Sequence, residues 1–333
     1  MTAHGVIRNI EFYLPENTLT TKSLSIIFPM WRCEAIESKT GIGNRHIASE
    51  NECASDLAVN AALRLFSSGA CLPSDIDFIL LCTQSPDFIL PTTACLVQHR
   101  LHIPKTAGAL DLGLGCSGFV YGLGLAEGLI TSGQARSILL ITSDTYSKYL
   151  HRADKSTRAL FGDGAAATWI VAQDRSDSAL GPFIYGTDGG GAMNLIVPDS
   201  GTRRGLLVPQ HIPTTPGCLY MDGNAIFQFA IQTVPDLVGS LLKRAQMTIE
   251  EIDLFVFHQA NAFILEELRL QLKIPKDKMQ ISLLDCANTV SSTIPIALKY
   301  AGLEGKLSNG CLIMVVGFGV GYSWAATLIR WME

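Results

Sequence analysis

Ser74-Asp-Ile-Asp-Phe-Ile-Leu-Leu-Cys82 has a counterpart 176 residues later, Glu250-Glu-Ile-Asp-Leu-Phe-Val-Phe-His258. Each copy joins an acidic-Ile-Asp start to an apolar run, which is typical of a buried strand. A second pair matches in pattern at an offset of about 174 residues, Ser137-Ile-Leu-Leu-Ile-Thr-Ser-Asp144 and Cys311-Leu-Ile-Met-Val-Val-Gly-Phe318. Chance similarity between buried strands explains one pair, but a near-constant offset across half the chain predicts two copies of one βα unit.

The pattern between these strands predicts a layered α/β fold. Short apolar strands alternate with longer helical stretches such as residues 54–66, which calls for helices packed on sheets. No Pro/Ser-rich linker divides the chain, so we expect two similar halves, residues 1–173 and 174–333, that bring equivalent strand ends to one central site. The long irregular stretch from Gly186 to Gly217 is either a cover over a substrate tunnel or a surface excursion.

Composition limits the function classes. Of 333 residues, 48% are hydrophobic and only 17% charged, which indicates a large buried core. The net charge of −5 argues against a nucleic-acid partner. No apolar run approaches the roughly 20 residues that a membrane helix needs, and the first ten residues resemble a strand more than a signal peptide. Nine scattered cysteines without paired spacing favour reduced thiols in the cytoplasm over disulfides or a metal site.

Gly115-Cys-Ser-Gly118 is the first candidate site. It lies between a short apolar strand pattern, residues 107–114, and an amphipathic helix pattern, residues 119–130. A cysteine at a strand-to-helix junction meets free backbone N–H groups and the helix dipole, so we expect a lowered thiol pKa. The alternative is a small buried hydrophobe packed among glycines.

Two later segments favour the catalytic interpretation. His258 ends the apolar strand 254–257 and is followed by Gln-Ala-Asn261, while Asn288 lies in a polar loop that leads into a helix over 296–300. Alone, His258 reads as a hydrogen-bonded core residue and Asn288 as a helix cap or turn residue. Cys116, His258 and Asn288, each at the edge of an apolar element, form a set that chance explains poorly.

The Gly-rich segment Gly317-Phe-Gly-Val-Gly321 is not a phosphate-binding loop, because its spacing differs from GxGxxG and no helix pattern follows. A tight turn between two terminal strands accounts for it. We interpret Phe161-Gly-Asp-Gly164 in the same way, as a packing and turn element.

Eight short motifs in order resemble one family over nearly the whole chain. The motifs are Lys39-Thr-Gly-Ile-Gly-Asn-Arg-His-Ile47, Pro91-Thr-Thr-Ala-Cys95, Gly115-Cys-Ser-Gly-Phe119, Phe161-Gly-Asp-Gly-Ala165, Met221-Asp-Gly-Asn-Ala-Ile-Phe227, His258-Gln-Ala-Asn261, Asn288-Thr289 and Gly317-Phe-Gly-Val-Gly-Tyr-Ser-Trp324. With these motifs the chain resembles the β-ketoacyl-acyl-carrier-protein synthase III group of the thiolase-like condensing enzymes. The resemblance implies a thiolase-like duplicated α/β/α/β/α layered fold and a homodimer.

The resemblance also implies a reaction. Cys116 takes an acyl group from a thioester donor, carried on coenzyme A or acyl-carrier protein, and malonyl-acyl-carrier protein then condenses with it after losing carbon dioxide. His258 and Asn288 are expected to donate hydrogen bonds to the enolate oxygen. The backbone N–H groups of Cys116 and Val320 are expected to form the oxyanion hole. No cofactor and no metal is expected.

Several positions depart from the family pattern. Ala35 and Lys155 replace the tryptophan and arginine that sandwich the adenine of coenzyme A, and Trp31 lies nearby but out of register. Phe263 replaces an arginine that follows Asn261 and helps to dock the carrier. Basic residues downstream offer a substitute: Arg269, Lys273, Lys276 and Lys278. A solvated helix end is the alternative for this basic cluster.

Two further positions bear on the acyl pocket. Val320 stands where the family has the middle glycine of its Gly-rich turn, and Leu90 where the partner subunit is expected to close the pocket. We therefore expect a specialised synthase III-like acyltransferase, loaded from a carrier protein or another thioester. The alternative is an acyltransferase of the same fold that moves the acyl group to a hydroxyl or amine. A degradative thiolase lacks support, because no second cysteine lies in the C-terminal Gly-rich segment.

Overall fold

The computed structural model describes residues 2–30, 32–203, 205 and 217–332. Its strands are β1 (Thr2–Tyr13), β2 (Thr18–Thr20), β3 (Asn44–His46), β4 (Phe78–Cys82), β5 (Gly108–Leu112), β6 (Ser137–Asp144), β7 (Gly164–Arg175), β8 (Leu180–Thr187), β9 (Leu195–Ile196), β10 (Tyr220–Met221), β11 (Leu254–Phe257), β12 (Leu312–Gly319) and β13 (Ser323–Arg330). Its α-helices are α1 (Thr21–Ile27), α2 (Cys33–Thr40), α3 (Ala54–Ser67), α4 (Thr93–Arg100), α5 (Gly118–Thr131), α6 (Lys155–Leu160), α7 (Gly223–Ala245), α8 (Ala262–Gln271) and α9 (Thr293–Leu303).

The first large sheet is built from the N-terminal part of the chain. Its strand order is β1-β7-β6-β4-β5, so β5 lies at one edge. Strand β4 runs parallel to both β5 and β6, whereas β7 runs antiparallel to β6 and to β1. The parallel strands place their carboxyl ends, and the loops that follow them, along the same side of the sheet.

The second large sheet repeats this arrangement. Its order is β8-β13-β12-β11, with β11 parallel to β12 and the other pairs antiparallel. Where the first sheet has β5, the second has a single parallel bridge between Met279 and Phe255. The predicted duplication is therefore confirmed at the level of strand order.

Helices cover both outer faces and fill the space between the sheets. Alternation of side chains along β4 and β6 sends one set toward α3 and α4 and the other toward α5. Apolar residues of α5 and α9 share one core with both sheets, and α7 and α8 pack on the far face of the second sheet. The layers are thus α/β/α/β/α, which confirms the predicted thiolase-like architecture.

Helix α7, with 23 residues, is long and apolar enough to cross a membrane by length and composition alone. Its buried residues lie on one face and pack against β12 and β13: Phe229, Ala230, Val234, Leu237, Val238 and Leu241. A one-sided apolar face of this kind is typical of a core helix that covers a sheet.

Two predictions about organisation remain open. The boundary between residues 173 and 174 falls inside β7, which continues to Arg175, so we propose that the halves meet in the connection that follows. The stretch from Gly186 to Gly217 contains the end of β8, a 3₁₀ helix over Gly189–Asn194 and β9. Residues 204 and 206–216, which belong to this stretch predicted as a cover or a surface excursion, lie outside the described residues, as does Trp31.

Candidate active site

Cys116 lies in the short connection between β5 and α5, as the sequence predicts. Its side chain is only 6% exposed. Gly319, at the end of β12, makes room for it, because a Cβ at Gly319 would stand 2.9 Å from both Cβ and Sγ of Cys116. A Cβ at Gly317 would stand 2.9 Å from the Cys116 carbonyl oxygen. Both glycines are therefore needed for the second sheet to approach the cysteine.

The electrostatic setting of the thiol differs from the prediction. The backbone N–H groups of Cys116 and Val320 act on the sulfur and lower its pKa, but burial and the nearby Asp144 carboxylate outweigh them and raise the pKa to about 12. The predicted lowering of the thiol pKa is thus wrong. Because the group is uncharged near neutral pH, its proton has to leave during the reaction.

His258 follows the last residue of β11, and its backbone N–H donates to Val316 O at 2.8 Å, which continues the parallel ladder by one bond. The ring is buried, with Nδ1 2.7 Å from the hydroxyl oxygen of Thr293. The edge of Phe318 packs against the ring at a centroid distance of 5.6 Å. Burial lowers the pKa of His258 to about 3, so the imidazole is neutral at physiological pH.

Asn288 is held between the two halves of the chain. Its backbone N–H donates to Leu160 O at 3.0 Å, and its Oδ1 accepts from the Val290 N–H at 3.0 Å. That bond fixes which end of the amide is oxygen. The Nδ2 group lies 3.4 Å from the carbonyl oxygen of Ala260, two residues after His258. The Asn288 loop and the end of β11 are therefore neighbours, and the Asn288 amide offers N–H donors beside them.

Asp144, at the end of β6, was not predicted as a site residue. It is fully buried, and its carboxylate accepts from the Gln84 N–H at 2.8 Å and from both the hydroxyl and the N–H of Ser291. Burial raises its pKa to about 7. Ser291 lies three residues after Asn288, so this carboxylate ties the Asn288 loop to the first sheet. The sequence signal for it is an acidic residue at the end of the predicted strand over residues 137–144.

An apolar cluster encloses the sulfur. Cys116 packs there with Tyr146, Phe161, Leu195, Leu219 and Val290. A cavity of about 920 Å³ opens nearby, and two of its lining residues, Leu160 and Met221, also pack against this cluster. The cavity is therefore a candidate route for a substrate chain to reach Cys116.

The predicted binding positions fall at different places around this cavity. Ala35, Asn261 and Phe263 line it, whereas Lys155 begins α6 outside the lining and its neighbour Ser156 faces in. Asn261 caps α8 by accepting from the Ile264 N–H at 2.9 Å.

The cavity also includes residues that the sequence reasoning did not single out as binding residues. Phe227 stacks on Phe263 with ring centroids 5.3 Å apart. Arg32 and Lys39 add positive charge to the rim.

The predicted basic cluster is partly engaged elsewhere. The Arg269 guanidinium forms a two-contact ion pair with Glu266, at 2.7 and 2.8 Å, and donates to Ile274 O. Lys278 donates to the backbone oxygens of Glu250 and Ile252, while Lys273 is exposed just past the end of α8. Because Arg269 is already paired within its helix, it is a weaker candidate for carrier docking than the sequence suggested.

Comparison with known proteins agrees with this geometry. Residues 110–189 match the model for 3-oxoacyl-[acyl-carrier-protein (ACP)] synthase III, and residues 242–331 match the model for its C-terminal part. A β-ketoacyl-[acyl-carrier-protein] synthase III of Caldanaerobacter subterraneus is 36% identical over 324 residues, which is 96% of each chain.

Solved structures show the same likeness. A crystal structure of a 3-oxoacyl-(acyl-carrier-protein) synthase III superposes with a TM-score of 0.95 at 48% identity, covering 98% of this chain and 100% of that one. FabH of Pseudomonas aeruginosa superposes with a TM-score of 0.89 at 34% identity and 99% coverage of both chains. These similarities favour condensation over transfer to a hydroxyl or amine. The chain belongs to the 3-oxoacyl-[acyl-carrier-protein] synthase III family.

Proposed function

We propose that this protein is a β-ketoacyl-acyl-carrier-protein synthase III that joins a Cys116-bound acyl group to a malonyl unit with loss of carbon dioxide. The observation that carries the proposal is the convergence of three elements. The Cys116 thiol lies against the backbone N–H groups of Cys116 and Val320, the Asn288 amide lies beside the end of β11, and His258 directly follows that strand. Family membership supports the same reaction.

The first step is acylation. The sulfur of Cys116 attacks the carbonyl of a thioester, the S–H proton leaves, and the carrier departs as a thiol. The tetrahedral oxyanion is stabilised by the N–H groups of Cys116 and Val320, the pair that acts on the sulfur. Since these donors are backbone groups fixed by α5 and the β12–β13 turn, they need no reorganisation as charge develops.

The second step is decarboxylative condensation. A malonyl thioester loses carbon dioxide, and the enolate oxygen needs hydrogen-bond donors. Asn288 supplies amide N–H groups, because its Oδ1 is committed to Val290, and we assign His258 to the same step. The enolate carbon then attacks the acyl-Cys116 carbonyl, forms the new carbon–carbon bond and releases the sulfur of Cys116.

The cavity suits the arm of a thioester carrier. It is apolar along its sides, leads toward the Cys116 cluster and carries Arg32 and Lys39 at its rim, where they favour a phosphorylated or acidic carrier. Ala35 and Lys155 do not rebuild a tryptophan–arginine sandwich. We therefore keep the hypothesis that the acyl donor is an acyl-carrier protein or another thioester, and not acetyl-coenzyme A.

A homodimer fits the exposed apolar surface. Phe88, Ile89 and Leu90 are 58%, 84% and 79% exposed on one loop, and Leu110 is 44% exposed on the edge strand β5. An open strand edge beside an apolar loop is a surface that proteins normally cover. We propose that a second copy covers it, with Leu90 of each chain near the other's acyl pocket, and that the enzyme works in the cytoplasm.

Intact-mass measurement tests the proposal. The purified protein is incubated with a panel of acyl-coenzyme A and acyl-carrier-protein thioesters, then with malonyl-acyl-carrier protein. We expect a single acyl adduct that maps to Cys116 and is discharged as a β-ketoacyl product with release of carbon dioxide. No adduct from any thioester contradicts the proposal. Fast acetylation by acetyl-coenzyme A contradicts only the choice of donor.

A further inference from the structure

Arg45, in β3, is fully buried, and its guanidinium donates to backbone and hydroxyl oxygens. Its Nε and Nη2 atoms donate to Ala159 O at 2.9 and 2.7 Å, and Nη1 donates to Thr21 Oγ1 at 2.8 Å. Longer bonds of 3.2 Å run to the carbonyl oxygens of Ile42 and Gly43. In the described part of the chain the guanidinium forms no ion pair. One side chain therefore joins the start of α1, the loop before β3 and the end of α6.

This set of bonds requires an arginine. A buried charge is unfavourable unless hydrogen bonds replace the water that it loses. Burial lowers the pKa of Arg45 to about 10, so the group is still charged at neutral pH. The planar guanidinium directs its five N–H groups in fixed directions, whereas the donors of a lysine ammonium all lie on one atom. A lysine at this position therefore keeps the charge but does not reach all three segments at once.

The end of α6 that Arg45 holds continues into the segment that fixes the Asn288 backbone. Leu160 O accepts from the Asn288 N–H at 3.0 Å, and the Gly162 N–H donates to Asn288 O at 3.0 Å. Phe161, between them, forms a parallel bridge with Asn288. Both backbone groups of Asn288 are therefore occupied by this short segment, and the position of the segment sets the position of the amide.

The residues on either side of the arginine contact the same two regions. The Asp163 N–H donates to His46 O at 2.8 Å, just beyond the end of α6. The Gly43 N–H donates to Leu284 O at 2.8 Å, four residues before Asn288. The chain around β3 therefore lies behind the loop that carries the amide, and the arginine side chain links it to α6.

We propose that Arg45 is a positioning residue for condensation, which holds the end of α6 and thereby fixes where the Asn288 amide meets the enolate oxygen. Its role rests on the proposed function, in which Asn288 donates to the enolate. Within the described residues, none of the hydrogen bonds of Arg45 reaches residues 115–118 or 319–322, which form the acylation site. A change of Arg45 should therefore act on condensation and spare acylation.

The experiment compares Arg45→Lys with the wild type in single-turnover assays. Both steps are measured at saturating thioester, because Ala159 and Leu160 also line the cavity. Acylation of Cys116 is followed by intact mass, and condensation by the formation of β-ketoacyl product from the pre-acylated protein. Leu65→Ala, which removes a buried side chain from the core between α3 and the first sheet, is the control for a general loss of stability.

We expect Arg45→Lys to be acylated within a few-fold of the wild-type rate and to condense roughly 10- to 100-fold more slowly, a loss typical of a slightly misplaced reacting group. Leu65→Ala should lower the midpoint of thermal unfolding without changing the ratio of the two rates. In an Asn288→Ala background, Arg45→Lys should cause no further loss of condensation, because the group that it positions is absent.

Equal losses in acylation and condensation overturn the proposal, as does an undiminished effect of Arg45→Lys in the Asn288→Ala background. If Arg45→Lys does not fold, Thr21→Val, which removes one acceptor of the guanidinium, is compared in the same way and should show a smaller loss confined to condensation. A wild type that forms no β-ketoacyl product contradicts the proposed function. A wild type and an Arg45→Lys variant that condense equally well contradict only the role of Arg45.

Discussion

The loop that carries Cys116 and the loop that carries Ser291 occupy equivalent places in the two copies of the βα unit. Each precedes the helix that lies between the sheets, and the two residues are 175 positions apart. Cys116 faces Gly319 at the end of β12. Ser291 donates to Asp144 at the end of β6, and Asp144 precedes Gly319 by the same 175 positions.

The residues two positions further along, Gly118 and Thr293, also occupy equivalent places. Thr293 contacts His258 at the end of β11, and its equivalent Gly118 packs against the sulfur of Cys82 at the end of β4. The Cys82 thiol donates to Leu114 O, and burial raises its pKa. The duplicated backbone therefore supplies two similar strand-to-helix junctions, the Cys116 loop before α5 and the Ser291 loop before α9. Side-chain differences place the nucleophile at the first junction and polar groups at the second.

Removing the nucleophile should produce the largest difference between the two junctions. Cys116→Ala is expected to abolish acylation, a loss of roughly 10³-fold or more, while malonyl decarboxylation persists. Ser291→Ala, at the equivalent position, should still form the acyl-enzyme. Intact mass with a reactive thioester measures both. Carbon–carbon bond formation by Cys116→Ala at the normal rate would refute the mechanism.

Substitution of Asn288, in the loop that carries Ser291, should impair condensation and not acylation. Asn288→Ala is expected to keep acylation but to lose roughly 10²- to 10³-fold in condensation, because the enolate loses a donor. Asn288→Asp is the matched control, since it keeps an acceptor for the Val290 N–H but supplies no donor. Single-turnover assays separate the two steps. Full condensation activity in Asn288→Asp would remove Asn288 from the enolate site.

Gly319 lies against Cys116, and a substitution there would add a side chain that contacts the cysteine. Gly319→Ala would place a Cβ 2.9 Å from Cys116 Cβ and Sγ, so the sulfur has to shift and acylation should slow by roughly 10²-fold. Gly239→Ala in α7 has no atom within 4 Å of the added Cβ and should leave the rate unchanged. The test compares the acylation rates of the two variants. Equal rates would mean that the residues around Cys116 shift to accommodate the added methyl group at little cost.

The last prediction concerns Asp144, at the end of β6, and the pH dependence of stability. The pKa of Asp144 is raised from 3.8 to about 7, so the folded protein binds this proton more tightly than the unfolded chain. Stability from Asp144 is therefore lost as pH rises from about 4 to about 7. Relative to Asp144→Asn, the wild type should lose up to about 1.4 kcal/mol of unfolding free energy per pH unit in that window.

Denaturant unfolding of both proteins at pH 5 and pH 7 measures this difference. If the unfolding free energies of the wild type and of Asp144→Asn changed equally between pH 5 and pH 7, the pKa of Asp144 would lie near its ordinary value. The Gln84 and Ser291 donors would then offset its burial.

Local patterns were enough to predict the strands, the layered fold and the positions of Cys116, His258 and Asn288, because each of these residues lies at the edge of an apolar element. They were not enough for properties that depend on distant segments. The Cys116 pKa depends on burial by the second sheet and on Asp144, 28 residues away.

Contacts of individual side chains were also beyond the sequence. Helical spacing allows Arg269 to pair with Glu266, three residues earlier on α8, but it does not predict the further bond from Arg269 to Ile274 O. Thr293 follows Asn288 closely in the sequence, but only the fold brings it into contact with His258, 35 residues earlier in the chain.

The shared core between the sheets has a consequence for folding. Residues of α5 and α9 pack into a single apolar cluster with strands of both copies. A fragment with only one copy would expose that whole face to water, at a cost of about 25 cal/mol for each Å² of apolar surface. A single copy could bury this face only against another chain, and the protein should therefore gain and lose its structure as one cooperative unit.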